Sequence, residues 1–288
     1  MTEVANLLNI IEPRSYNQST KFWYNRLMTK IFLDSGDPQE TKTALQVLGK
    51  LDGQTTNPSL IAKNPQAQGK KFKAVVQEIS QLIPQGSVSI EVYADKTTTK
   101  EQMVSEGLKM NSWIPNCHIK LPIFPAGLEA AAELVKQGVN VNMTLCFSQE
   151  QAAAVYGATM GAKKGQVFIS PFIGRLDDKG IKGMDLIKNI LNMYKTGDGH
   201  VEVLGASIRS LSHLTDSLEM NVDILTAPLS ILTAWQNKEA VTEPATLLGI
   251  EYETLDLNKP WHEFNLEHEL TNAGMDKFAA DWKGMIKE

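Results

Sequence analysis

The chain has 288 residues, 42% of them hydrophobic, and a net charge of −5 at pH 7, enough for one large α/β domain or two ordinary ones. The acidic balance argues against a general nucleic-acid binder, which usually carries a basic patch. No run approaches the ~20 apolar residues of a membrane span, and the acidic N-terminus (MTEVANLLNIIEPRSYNQ) is a poor secretory signal.

In chain order, residues 7–30 read as a helical segment within an N-terminal extension, 1–30. Short apolar, β-branched runs follow at 31–34, 53–56, 88–92, 117–121, 139–145, 167–170, 202–207 and 222–226. Longer amphipathic stretches separate them, such as 127–137 and 149–156, with charge on one face or glycine at the end. Residues 261–288 read as a C-terminal helix. This alternation predicts a parallel sheet with helices around it. Eight βα units predict an α/β fold of the (β/α)8 TIM-barrel type with extra N- and C-terminal helices. The alternative, a doubly wound open sheet, usually has fewer strands, and no GxGxxG follows the first one. Without linker, repeat or low-complexity tract, residues 1–288 are expected to form a single domain.

A barrel places its site at the C-terminal ends of its strands, and unusual polar residues fall there. The first seven predicted strands, taken in order, end on, run into or carry Asp34, Asn57, Glu91, Lys120, Asn142 with Thr144, Ser170 and Ser207. Asn142 and Thr144 are two apart and share a face, and the same parity pairs Lys120 with His118. Each has a plainer reading. Asp34 fits an N-cap before Pro38, Asn57-Pro58 and Ser170-Pro171 fit helix starts, and Ser207 fits a cap. Glu91 and Lys120 fit a buried ion pair filling a barrel layer. So many polar strand ends at one rim nevertheless favour a site.

Lys120, inside the apolar run HIKLP, raises the sharpest question, because lysine is almost never fully buried without a partner. Low dielectric and nearby cations favour a neutral amine, which can attack a carbonyl and form a Schiff base. The iminium draws electrons from a C–C bond two atoms away, and a carboxylate must then move the protons. Lys120, Asp34 and Glu91 supply that set. Arg175 (SPFIGR) and Arg209 (GASIRS) are expected in the loops after strands six and seven, where barrels of this type often bind phosphate. Each also reads as an ordinary surface charge; together they favour an anionic substrate.

At these residues the sequence resembles the transaldolase family of Schiff-base (β/α)8 enzymes. The matching blocks are FLDSGD (32–37), DGQTTNPSLIAK (52–63), SIEV (89–92), IKLP (119–122), VNVNMTLCFSQEQA (139–152), SPFIGRLDD (170–178) and GASIRS (205–210), with MDKFAADW (275–282) in the final helix. The resemblance implies transfer of a dihydroxyacetone unit from a ketose phosphate (sedoheptulose 7-phosphate or fructose 6-phosphate) to an aldose phosphate (glyceraldehyde 3-phosphate or erythrose 4-phosphate), in the pentose phosphate pathway. It implies that Lys120 forms the Schiff base, Asp34 takes the C4 hydroxyl proton, and Glu91 and Thr144 hold the shuttling water. Asn57, Asn142 and Ser170 would then bind the dihydroxyacetone unit, and Arg175, Ser207 and Arg209 the phosphate. No metal or organic cofactor is implied.

One departure stands out. After the lysine the family pattern KIP-x-T-x-E-G has Phe124 and Ala126 in place of threonine and glutamate, which puts substrate range or rate in question. Two rivals remain. A fructose 6-phosphate aldolase would release free dihydroxyacetone, but carries glutamine where this chain has Glu91. A non-catalytic sugar-phosphate binder would not need Lys120, Asp34 and Glu91 together. Cys117 and Cys146 form no disulfide framework and, with His213, read as packing residues; the setting expected is reduced and cytoplasmic. His118 is placed in the barrel interior below the lysine, and the five histidines show no metal-ligand spacing. The expected partners are small-molecule sugar phosphates, with neither nucleic acid nor membrane; a homodimer is compatible with the sequence.

Overall fold

Eight parallel strands close into a barrel in the computed structural model, which describes residues 29–63, 72–242 and 246–285. The strands are β1 (Lys30–Asp34), β2 (Gly53–Thr55), β3 (Ser87–Glu91), β4 (Cys117–Pro122), β5 (Val141–Cys146), β6 (Val167–Pro171), β7 (Val201–Gly205) and β8 (Ile224–Ala227). Pairing of β1 with β8 completes the ring. Each of the eight expected strands is present, displaced by one or two residues at its ends. The helical segment expected at 7–30 lies outside the described residues.

The helices are α1 (Pro38–Leu48), α2 (Pro58–Lys63), α3 (Phe72–Leu82), α4 (Lys100–Asn111), α5 (Pro125–Lys136), α6 (Gln149–Ala158), α7 (Ile173–Asp177), α8 (Gly183–Tyr194), α9 (Leu211–Glu219), α10 (Leu229–Gln236) and α11 (Glu269–Met285). Local chemistry explains many of their starts. Asp37, Ser148 and Ser210 accept N-cap hydrogen bonds, and Thr99 with Gln102 forms a capping box. Phe124 stands at the N-cap of α5 and supplies no such bond. The C-terminal helix is shorter than the expected 261–288: residues Trp261–Glu263 make one 3-10 turn after Pro260, and α11 begins only at Glu269.

Strand alternation sorts the residues into two layers. One parity, including Leu33, Ile90, Ile119, Leu121, Met143 and Ile169, is fully buried and apolar; it faces the helices and forms the main core. The other parity points into the barrel and is largely polar or aromatic, with Leu204 and Ile224 as aliphatic members. At its N-terminal end Lys30 Nζ pairs with Glu202 at 2.9 Å, and the His118 ring stacks on Phe168 with centroids 4.0 Å apart. His118 Nδ1 meets Ser87 Oγ at 2.7 Å and Nε2 meets the Gly165 carbonyl at 3.0 Å, so this histidine closes the barrel floor, below the lysine as expected. Phe32 fills the interior so closely that a side chain at Gly53 would approach its ring to 2.5 Å, which makes glycine necessary there.

Two irregularities shape the other end. In β5 the register shifts between Met143 and Cys146, with Leu145 left-handed at φ 62°. That bulge turns the Leu145 carbonyl out to accept a bond from Thr271 Oγ1 in α11, at 2.9 Å. Gln151 of α6 also bonds Thr271, at 2.9 Å. The last helix is thereby tied across the C-terminal mouth of the barrel.

Candidate active site

The polar ends of the strands surround a cavity of about 360 Å³ at that mouth. Asp34, Asn57, Lys120, Ser170, Arg175, Ser207 and Arg209 all line it. Of the remaining expected residues, Glu91, Asn142 and Thr144 are buried and stand behind this lining.

Lys120 is 3% exposed. Its ammonium donates to the Thr56 carbonyl at 3.0 Å, and Glu91 Oε2 lies 3.1 Å away, an ion pair set off the axis of a hydrogen bond. The pair answers the cost of burying the charge. It arises because Glu91 and Lys120 are register neighbours on adjacent strands and point to the same face. Burial raises the Glu91 carboxyl above the ordinary range, and the Lys120 charge works against that rise. A carboxyl so placed is able to hold a proton.

Asp34, at the end of β1, is half-buried and lines the cavity. The protein packed around its carboxyl raises its pKa, opposed by a hydrogen bond from Thr55 and by the charge of Lys120. Thr55 Oγ1 donates to Asp34 Oδ1 at 2.7 Å and lies 2.6 Å from Thr226 Oγ1 on β8. Because an ionised carboxylate only accepts, Thr55 gives its proton to Asp34 and Thr226 gives its own to Thr55. Asn142 joins the opposite wall: its amide donates to Ser89 Oγ at 3.1 Å and its oxygen accepts from Ser170 Oγ at 2.7 Å. The buried Thr144 hydroxyl has no hydrogen-bond partner among the described residues. Asn57 Oδ1 accepts from the Leu60 N–H at 2.9 Å, so this residue both starts α2 and lines the cavity.

The cationic side is built by two interlocking segments, one after β6 and one after β7. Arg175 stands inside the short helix α7, not in a loop, because the chain turns helical directly after Pro171-Phe172. Its guanidinium lies between the rings of Phe172 and Phe278, at 5.2 and 5.3 Å. Ser207 lies two residues beyond β7, left-handed at φ 59°, an uncommon conformation for serine. Arg209 is ion-paired with Asp178. Lys63 and Lys277 add two further cations to the lining. Among the described residues no three His, Cys, Asp or Glu side chains gather in a way that would hold a metal ion.

Sequence reasoning missed Thr55, Thr226, Lys63 and Lys277. Thr226 ends the run expected at 222–226 and carried the same strand-end signal as the others. Lys277 carried no such signal, because it enters the site only through the path of α11. Phe124, flagged for its position beside Lys120, is not among the residues that line the cavity. The two thiols are buried and free, each pushed up to about 12 by desolvation.

Fold and geometry together define a (β/α)8 barrel with a buried lysine–carboxylate pair opening onto a cation-rimmed cavity. The family model for transaldolase/fructose-6-phosphate aldolase matches residues 31–288. A "Probable transaldolase" of Dehalococcoides mccartyi is 36% identical over 258 residues, covering 90% of this chain and all of that protein. Another of Brucella ovis is 39% identical over 253 residues, covering 88% of this chain and 96% of that one. The chain belongs to the transaldolase/fructose-6-phosphate aldolase family. Among solved structures, the carboxyl transferase domain of Rhizobium etli pyruvate carboxylase matches with a TM-score of 0.50 at 9% identity, over 96% of this chain and 52% of that one, a likeness of fold alone. Among the described residues no helix is long and apolar enough to cross a membrane.

Proposed function

We propose that the protein is a transaldolase that moves a dihydroxyacetone unit between sugar phosphates through a Schiff base on Lys120. The observation that carries this reading is the buried Lys120–Glu91 pair at 3.1 Å, with Asp34 and the two arginines lining the same cavity.

Glu91 takes the ammonium proton, freeing the lone pair of Lys120 to add to the C2 carbonyl of the ketose phosphate. Loss of water from the carbinolamine leaves an iminium, with Glu91 and the Thr144 hydroxyl holding and protonating the departing water. Asp34 takes the C4 hydroxyl proton as the C3–C4 bond breaks, glyceraldehyde 3-phosphate leaves, and the bonding pair passes into the enamine. Asn57, Asn142 and Ser170 bind the retained three-carbon unit; Arg175, Ser207 and Arg209 bind the phosphate. The enamine carbon then attacks the acceptor aldehyde. Asp34 returns its proton to the new hydroxyl, and water hydrolyses the imine.

Borohydride reduction in the presence of fructose 6-phosphate tests this reading. A dihydroxyacetone adduct on the Lys120 peptide is expected, and none in Lys120→Met. Release of glyceraldehyde 3-phosphate beyond one equivalent per Lys120 should need erythrose 4-phosphate; continued turnover without it, with free dihydroxyacetone, would make the protein an aldolase instead. No adduct from a protein that still binds the sugar phosphate would leave a binder without chemistry.

A further inference from the structure

His213 reads from sequence as a packing residue, yet both of its ring nitrogens are engaged in the described structure. Nε2 lies 2.6 Å from Asp177 Oδ2, and Nδ1 accepts from the Arg209 backbone N–H at 3.3 Å. An amide N–H facing Nδ1 requires a lone pair there, so the ring proton sits on Nε2 and points to the carboxylate. His213 is 7% exposed and is held from behind by the cap of α9, where its backbone N–H donates to Ser210 Oγ at 3.1 Å. Asp177 is fixed in turn, its Oδ1 accepting from the Gly183 N–H at 2.8 Å.

These contacts lie between the two segments that carry the cavity's arginines. Asp177 closes α7, the helix of Arg175, and Arg209 follows the left-handed Ser207. The segments are already joined at their other end, where the Ile173 and Gly174 N–H groups donate to the Ala206 and Ser207 carbonyls at 3.1 and 3.2 Å. His213 anchors the second end through buried groups, beside the exposed Arg209–Asp178 ion pair.

We infer that His213 is a positioning residue for anion recognition: through Asp177 and the Arg209 N–H it holds Arg175, Ser207 and Arg209 at the spacing that a substrate phosphate needs. It touches no substrate itself. The inference rests on the proposed placement of the phosphate, and its test is chosen to stand apart from the chemistry at Lys120.

The full-length protein and its His213→Ala and His213→Asn variants should be titrated with inorganic phosphate by calorimetry. Loss of one backbone anchor is expected to weaken phosphate binding about tenfold in the alanine variant. Asparagine, whose Oδ1 can accept from the Arg209 N–H, should restore most of it. Borohydride trapping of uncharged dihydroxyacetone at Lys120 should proceed equally in all three proteins, a split that a general loss of structure would not produce. Unchanged phosphate affinity in His213→Ala would overturn the inference, as would parallel loss of phosphate binding and dihydroxyacetone trapping. Should the alanine variant not fold, His213→Gln keeps a donor for Asp177 but no acceptor at the Nδ1 position, and must bind phosphate more weakly than His213→Asn. If the wild-type protein forms no adduct at all, the proposed function fails while the phosphate titration still decides this point.

Discussion

A general base works only when ionised, and at the scale of single residues this makes Asp34 the most informative group. Burial raises its carboxyl above the usual value of 3.8. Activity should therefore fall, as pH is lowered, at a higher pH than an ordinary aspartate would dictate. Thr55 stabilises the ionised form through its 2.7 Å bond, so Thr55→Val should move the acid limb of kcat/KM further up. A limb that stayed in place would remove Thr55 from that role. The candidate residues were legible one by one, because polar side chains in apolar runs are costly to bury. Their partners were not: the Thr56 carbonyl that receives the Lys120 ammonium has no side-chain signature.

Among elements, α7 and α11 carry the cavity's cationic side, and both depend on close approach. A methyl group on Gly174 would come within 2.3 Å of the Ser207 carbonyl, a backbone atom that cannot rotate away. Gly174→Ala is expected to destabilise the protein by about 1–3 kcal/mol and to weaken phosphate binding. An unchanged melting temperature and phosphate affinity would mean that the loop yields. On α11, Phe278 is 4% exposed and covers one face of Arg175. Phe278→Ala should cost about 3–5 kcal/mol in chemical denaturation and raise KM for the phosphorylated sugar more than it lowers kcat. Equal effects on phosphorylated and neutral substrates would mean that the ring only packs. Strand positions followed from β-branched runs, but the end of α11 nearest the chain's turn did not, since Trp261–Glu263 is helical in pattern and yet forms one 3-10 turn.

For the molecule as a whole, the barrel interior contains a further buried titratable group, His118, at the end opposite the cavity. Desolvation lowers the pKa of His118 from 6.5 to about 4. A base whose folded pKa is depressed contributes stability that is fully present above its unfolded value of 6.5. That contribution falls as pH drops, because the unfolded chain takes up a proton that the folded one refuses. The loss amounts to about 1.4 kcal/mol per pH unit, about 3 kcal/mol in all by pH 4. Urea unfolding of the wild type and His118→Gln should therefore converge by that amount between neutral pH and about pH 4. A constant difference between them would show that the imidazole is not kept neutral by the fold.

By itself the sequence determined the eight strands, the barrel they imply and the polar residues at their C-terminal ends, because alternation and side-chain type are local properties of the chain. It also carried the family, through contiguous blocks such as DGQTTNPSLIAK. Only the tertiary structure decided which groups meet. The Thr226–Thr55–Asp34 run joins β8 to β1 across the closure of the barrel. Lys277 reaches the cavity because α11 folds back over the mouth, and His213 proves to bridge two arginine-bearing segments rather than fill space. Contacts between residues tens or hundreds of positions apart depend on register, strand tilt and the path of the connections, and no local pattern encodes them.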